Sequence, residues 1–104
     1  MKEHITLKLS KILHQKARLG IMSILIAAGE AEFTQLKKQL DLTDGNLNTH
    51  LYTLEQVKYI KIQKKFVKKK PKTICRLTEK GRIAFSEYID NLEQIIQGMP
   101  KKQN

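Results

Sequence analysis

Two groups of residues stand out for the chemistry they could do. The first is a run of lysines. From Lys58 to Arg82 the chain places eleven Lys and Arg against one acid, Glu79. That surplus equals the formal net charge of +10, because the remaining residues hold nine basic and nine acidic side chains. A charge excess confined to one quarter of a chain is the footprint of a polyanionic partner, although a solubilising face can also be lysine-rich. The second group lies between Thr43 and Gln56. On a helical wheel at ~100° per residue, Leu47, Leu51 and Leu54 form one apolar stripe. Gly45, Asn48, Thr49, Tyr52 and Thr53 fall on the opposite face, with Asn46 and His50 on its flank. Solvated helix faces are usually rich in Lys and Glu. This one is almost uncharged and carries amide, hydroxyl and phenol groups, which can bond to base edges and phosphates.

Other chemistry finds little support. There is no Gly-rich phosphate loop, no pair of carboxylates in an apolar setting and no nucleophile beside a base, so no enzyme is expected. His4, His14 and His50 are not at ligand spacing, and Cys75 is the chain's one cysteine. Neither a metal nor any other cofactor is expected. Cys75 shares strand parity with Leu77 and reads as a buried small hydrophobe rather than a redox thiol. No apolar run of ~18 residues is present. The first residues lack the continuous apolar stretch of a signal peptide. A cytoplasmic protein with no membrane contact is therefore expected.

The elements that must position these groups follow from periodicity. With 104 residues, of which 40% are apolar, the chain has material for one core and one domain, 1–104. The spacing of Leu9, Ile12 and Leu13, then Leu19, Met22, Leu25 and Ile26, predicts a helix from Ser10 to Ala28, interrupted near His14–Gln15 and ended by Gly29. Thr34 reads as the cap of a short helix from Gln35 to Leu40, and Thr43 as the cap of the helix that ends at Gln56 or Val57. Tyr59 to Lys64 and Thr73 to Leu77 alternate as strands do, with Val67 to Lys72 as the hairpin tip. Thr78 caps a last helix from Glu79 to about Gly98, with Glu79 in its first turn. Residues 100–104 read as a frayed tail.

In that last helix Phe85, Tyr88, Leu92, Ile95 and Met99 are spaced 3, 4, 3 and 4, with Ile89 and Ile96 widening the seam. Five turns exceed what a three-helix core covers. A two-fold dimer seam is expected, joined by Ile5, Leu9, Ile12 and Leu13 of residues 1–14.

The order helix, helix, helix, strand, strand, helix makes the chain α+β and mainly α: a winged helix-turn-helix with a two-stranded wing and an added C-terminal dimerisation helix. At the level of motifs, Leu42-Thr43-Asp44-Gly45-Asn46-Leu47, His50-Leu51, Leu54-Glu55 and Arg76-Leu77-Thr78-Glu79-Lys80-Gly81-Arg82 resemble small single-domain winged-helix transcriptional regulators related to the MarR and ArsR groups. Arg18-Leu19, Ile24-Leu25 and Phe33-Thr34-Gln35-Leu36 fit the first and second helices of that set, so the resemblance spans about Gln15 to Ile89. It implies that Asn46, Asn48 and Thr49 lie in the major groove and that the hairpin flanks the minor groove. Family members usually carry a basic residue where Tyr52 stands.

The expectation is a homodimeric regulator, a repressor, bound to double-stranded DNA. DNA contact by the recognition helix falls to Gly45, Asn46, Asn48, Thr49, His50, Tyr52 and Thr53, with Thr34 and Gln35 at the start of the second helix. Phosphate contact falls to Lys64, Lys65, Lys68, Lys69, Lys70 and Lys72 of the wing. An architectural or RNA-binding module, or a winged helix that meets an acidic protein, would use the same stripe without base readout.

Overall fold

A computed structural model describes residues 4–100; Met1–Glu3 and Lys101–Asn104, parts of the expected seam and tail, lie outside the described residues. A short 3-10 turn, Ile5–Lys8, precedes α1 (Lys16–Ala28), β1 (Glu30–Glu32), α2 (Phe33–Leu40), α3 (Asp44–Gln56), β2 (Ile60–Val67), β3 (Lys70–Leu77) and α4 (Glu79–Gln97). The strands form one antiparallel sheet in the order β1-β3-β2. Mainly helical with a small sheet, this is the expected α+β winged helix.

The core follows the apolar periodicities. Ile21, Met22 and Leu25 of α1, Leu36 of α2, and Leu47, Leu51 and Leu54 of α3 meet Ile60 of β2 and Cys75 of β3. α4 closes the cluster with Phe85 and Tyr88. Each fully buried aliphatic side chain contributes roughly 1.5–3 kcal/mol relative to exposure.

The loops between helices are tight because residues other than glycine take up left-handed geometry. Asp41, at φ 51°, closes α2, with Leu42 N–H donating to the Lys37 carbonyl at 3.1 Å. Lys58, at φ 64°, does the same for α3, with Tyr59 N–H donating to the Leu54 carbonyl at 3.0 Å. Both are bonds that tie off a helix's last free carbonyls. Thr43 and Thr78 cap α3 and α4 as expected, accepting from Asn46 N–H and Gly81 N–H.

The structure departs from the sequence expectation at four places. The interruption expected near His14–Gln15 is present, but the segment before it is not a helix: α1 begins at Lys16, not Ser10. Ser10 to His14 makes one isolated turn, closed by His14 N–H on the Ser10 carbonyl at 2.8 Å, and Gln15 is then extended at φ −148° and caps α1. That break turns Leu13 fully into the core. α2 starts at Phe33, and Thr34 is not its cap; the Thr34 hydroxyl donates to the Glu32 carboxylate at 3.4 Å instead. β1 is an additional strand of three residues, paired Ala31 to Cys75. It is short and acidic, and is held by the charges across from it: Arg76 pairs with Glu30 at 2.9 Å and Lys72 with Glu32 at 3.4 Å.

The hairpin tip is the fourth departure. It consists of Lys68 and Lys69 alone, both at positive φ (52° and 65°), between Val67 and Lys70, which pair with each other. Two central residues at positive φ match the right-handed twist of the flanking strands, a job more often given to Asn-Gly. With no such signal the tip reads longer in sequence. Lys70, Pro71 and Lys72 therefore belong to β3. Pro71 is tolerated there because, by the alternation of an antiparallel ladder, its nitrogen faces away from β2, and β1 pairs only as far as Ile74.

Candidate nucleic-acid interface

The helix-turn-helix places α3 with Leu47, Leu51 and Leu54 inward. Gly45, Asn46, Asn48, Thr49 and Tyr52 stand exposed on it, and His50 and Thr53 are half-buried. Tyr52 is 64% exposed. The Thr49 hydroxyl donates to the Gly45 carbonyl at 3.0 Å, and that of Thr53 to the Thr49 carbonyl at 3.2 Å. Their protons are therefore used within the helix, leaving both oxygens as acceptors, with methyl groups beside them. Acceptors of this kind match the exocyclic amines of adenine and cytosine, and a threonine methyl matches that of thymine.

His50 is oriented by a residue that sequence reading did not single out as functional. Arg18 of α1 lies 3.2 Å from His50 Nδ1 through one guanidinium nitrogen, while its Nε donates to the Ile12 carbonyl at 2.7 Å. A guanidinium only donates, so Nδ1 accepts, and the proton of the neutral ring sits on Nε2. Burial, and then the Arg18 charge, hold the His50 pKa below its usual value. Arg18 was visible in the sequence as part of a motif, but its partner 32 positions away was not.

Glu55 is a second residue missed. Its carboxylate accepts the Ile62 N–H at 3.3 Å, tying the end of α3 to the start of the wing. Between these elements lies a cleft of about 710 Å³ lined by Asn48, Thr49, Leu51, Tyr52 and Glu55 of α3, Ile62, Lys64 and Thr73 of the wing, and Phe33 of α2. Phe33 also borders a smaller recess with Thr34, Pro71 and Lys72. Thr34 and Gln35 are exposed at the start of α2. The start of α2, the outer face of α3 and the wing thus form one continuous side of the molecule.

The wing lysines do not all behave alike. Lys64 faces the cleft. Lys65 lies on the opposite face of the hairpin, directly across from Lys72. Lys72 sits in the sheet body beside Glu32, half-buried, so its charge is already balanced. Arg76 and Arg82 are likewise paired, with Glu30 and Glu79, and Lys80 stands 5.9 Å over the Tyr59 ring. Lys61, Lys64, Lys65, Lys68, Lys69 and Lys70 make no ion pair among the described residues and are exposed. The usable positive charge is therefore concentrated on β2 and at the turn.

A family model described as a winged-helix DNA-binding domain matches residues 17–96. The chain belongs to that family. It is 40% identical over 85 residues to the uncharacterized protein MJ0432 of Methanocaldococcus jannaschii, covering 82% of this chain and 92% of that one. The structure of a transcriptional regulator homologue from Pyrococcus horikoshii OT3 superposes with a TM-score of 0.81 at 36% identity, over 86% of this chain and 88% of the other. Overoxidized AbfR, solved bound to DNA, shares the fold at a TM-score of 0.70 and 19% identity, over 82% of this chain and 65% of its own. The winged-helix DNA-binding domain implied by the motifs is thus borne out.

The dimer residues divide. Leu13, Phe85 and Tyr88 are buried within the chain's own core, where they anchor its elements. Tyr88 Oη and His14 Nδ1 share a 2.7 Å hydrogen bond that fastens the N-terminal segment to α4. Leu9, Ile12, Ile89 and Leu92 are half-buried against the core, and Ile95 is half-buried too. Ile96 and Met99 stand 62% and 66% exposed. Cys75 is buried, and burial together with the Glu55 charge pushes its thiol up to about 11, far from a reactive thiolate. No group of His, Cys, Asp and Glu able to hold a metal occurs among the described residues, and no described helix is long and apolar enough to cross a membrane.

Proposed function

We propose that this protein is a homodimeric, sequence-specific transcription regulator that represses by occupying its site on double-stranded DNA. The observation that carries the reading is the shared cleft: the hydrogen-bonding side chains Asn48, Thr49 and Tyr52 of α3 and the unpaired Lys64 of β2 border the same concavity. In this reading α3 enters the major groove. Asn46, Asn48 and Thr49 read base edges, Gly45 allows close approach, and Tyr52, Thr53 and His50 bond to the flanking sugar-phosphates. Thr34 and Gln35 hold a phosphate at the start of α2. Lys64, Lys65, Lys68, Lys69 and Lys70 supply affinity without sequence preference, and Lys72 contributes least because Glu32 balances it.

Homodimerisation is supported by the outer half of α4. Its apolar side chains Leu92, Ile95 and Ile96, with Met99 just past its end, continue beyond the part buried by Phe85 and Tyr88. A two-fold pair on this helix, with Leu9 and Ile12 alongside, would set two α3 helices about one turn of DNA apart, ~34 Å, over a pseudo-palindrome. The deciding experiment is selection of bound sequences from random duplexes at moderate salt. A palindromic motif is the expected result. Recovery of no motif removes base readout and leaves the domain a non-specific binder.

A further inference from the structure

Phe66 is used neither by the core nor by the basic stripe. At 77% exposure it is the most exposed large hydrophobic side chain among the described residues. It pairs with Pro71 across the hairpin, one step from the Lys68–Lys69 turn. In a two-residue hairpin the pair that closes the turn, Val67–Lys70, exchanges hydrogen bonds. The next pair is therefore the close, unbonded kind, with Cα atoms about 4.5 Å apart and both side chains on one face. That face is the one carrying Ile62 and Lys64, which line the cleft beside Asn48, Thr49 and Tyr52. Phe66 and Pro71 are thus an apolar extension of the side that the recognition helix presents.

Lys64, Lys65, Lys68, Lys69 and Lys70 surround this apolar pair in the sequence and on the hairpin. An apolar protein partner would have to desolvate or neutralise these charges. A nucleic acid answers both features at once, with phosphates for the ammonium groups and stacked bases for the ring. Phe66 is a flat ring, and Pro71 behind it is rigid and lacks an N–H.

We propose that Phe66, braced by Pro71, is a wedge that enters a base step of the DNA beside the site read by α3, unstacking it and kinking the duplex. Apolar side chains inserted from the minor-groove side kink duplexes by about 20–90°. The wedge selects sequence by deformability: flexible TA and CA/TG steps accept it and A-tracts resist it, with no hydrogen bond to a base. This inference rests on the DNA-binding reading above.

The test uses the full chain, as wild type, Phe66→Ala and Phe66→Leu, with a duplex from the random-sequence selection. 2-Aminopurine is placed at the step under the wing, and fluorophores on the two ends report bending. Wild type should raise 2-aminopurine emission and shorten the end-to-end distance. Phe66→Ala should abolish both changes and weaken binding to TA- or CA-containing sites about tenfold, with an unaltered salt slope. Phe66→Leu should retain part of the bend. Because the side chain is exposed, thermal melting of the alanine variant should match wild type. Bending and unstacking by Phe66→Ala equal to wild type would overturn the wedge. So would a loss of self-association in place of a loss of bending. Wild type that binds no duplex would overturn the DNA-binding reading and the wedge with it, which is distinct from intact binding without a kink.

Discussion

Gly81 of α4 packs directly on the backbone of Tyr59, at the junction between α3 and β2. A Cβ at position 81 would overlap the Tyr59 carbonyl oxygen and come within 2.9 Å of its carbon. That same carbonyl accepts the Thr78 N–H at 3.1 Å, and the Thr78 hydroxyl donates to the Lys58 carbonyl at 2.6 Å. The start of α4 is therefore bolted to the root of the wing, backbone against backbone. Gly81→Ala should destabilise the fold by roughly 1–3 kcal/mol, since neither partner is a flexible side chain that can yield. Thermal melting checks this; a melting temperature equal to wild type would mean the junction relaxes freely.

Asn48 and Thr49 bear on specificity. Replacing both by alanine should cost roughly 1–3 kcal/mol for each base pair of a selected site that the helix no longer reads, while binding to random DNA barely changes. Competition between the selected duplex and excess random duplex measures this. An equal weakening on both would assign base readout elsewhere.

The wing lysines bear on affinity. Lys65→Ala, Lys68→Ala and Lys69→Ala together should weaken binding to every duplex and reduce the log-log salt slope by about one unit per phosphate no longer neutralised. Lys72→Ala should have a smaller effect, because its charge is balanced by Glu32. A salt titration of the variants separates the two cases, and equal slopes in wild type and triple variant would place the phosphate contacts off the wing.

His50 sets a pH dependence of stability. Its folded pKa lies below 6.5, through burial first and the Arg18 charge second. The unfolded chain then binds the proton more readily, so this group's contribution is fully present above pH 6.5 and is lost as pH falls through the folded pKa. Denaturant unfolding of wild type should show that decline, and His50→Gln should flatten it. Arg18→Gln should reduce it partially, because burial remains. An identical decline in wild type and His50→Gln would assign the proton to another group.

The outer half of α4 bears on assembly. Light scattering should give a dimer at micromolar concentration, and Ile96→Glu should yield a monomer without a change in helix content. Such a monomer should bind a single half-site and lose most affinity for the palindrome. A wild-type monomer would remove the two-fold arrangement.

Much of this protein was legible in the order of its residues. The α3 stripe of Leu47, Leu51 and Leu54, the Thr43 and Thr78 caps and the confinement of net charge to Lys58–Arg82 depend on helical period, local capping bonds and composition. All act within a few residues, so sequence alone determined the winged helix and the identity of its polar helix face. Tertiary structure decided what depends on partners distant in the chain. Lys72 and Arg76 turned out to be balanced by the acids of β1, a strand too short to announce itself. Phe85 and Tyr88 share the spacing of Leu92 and Ile95 but are consumed by the core, because periodicity names a face and not what covers it. Arg18 reached His50 only when α1 folded across α3. The two-residue turn at Lys68–Lys69 set the strand register that brought Phe66 beside Pro71 on the recognition side, a consequence of pairing that no local pattern encodes.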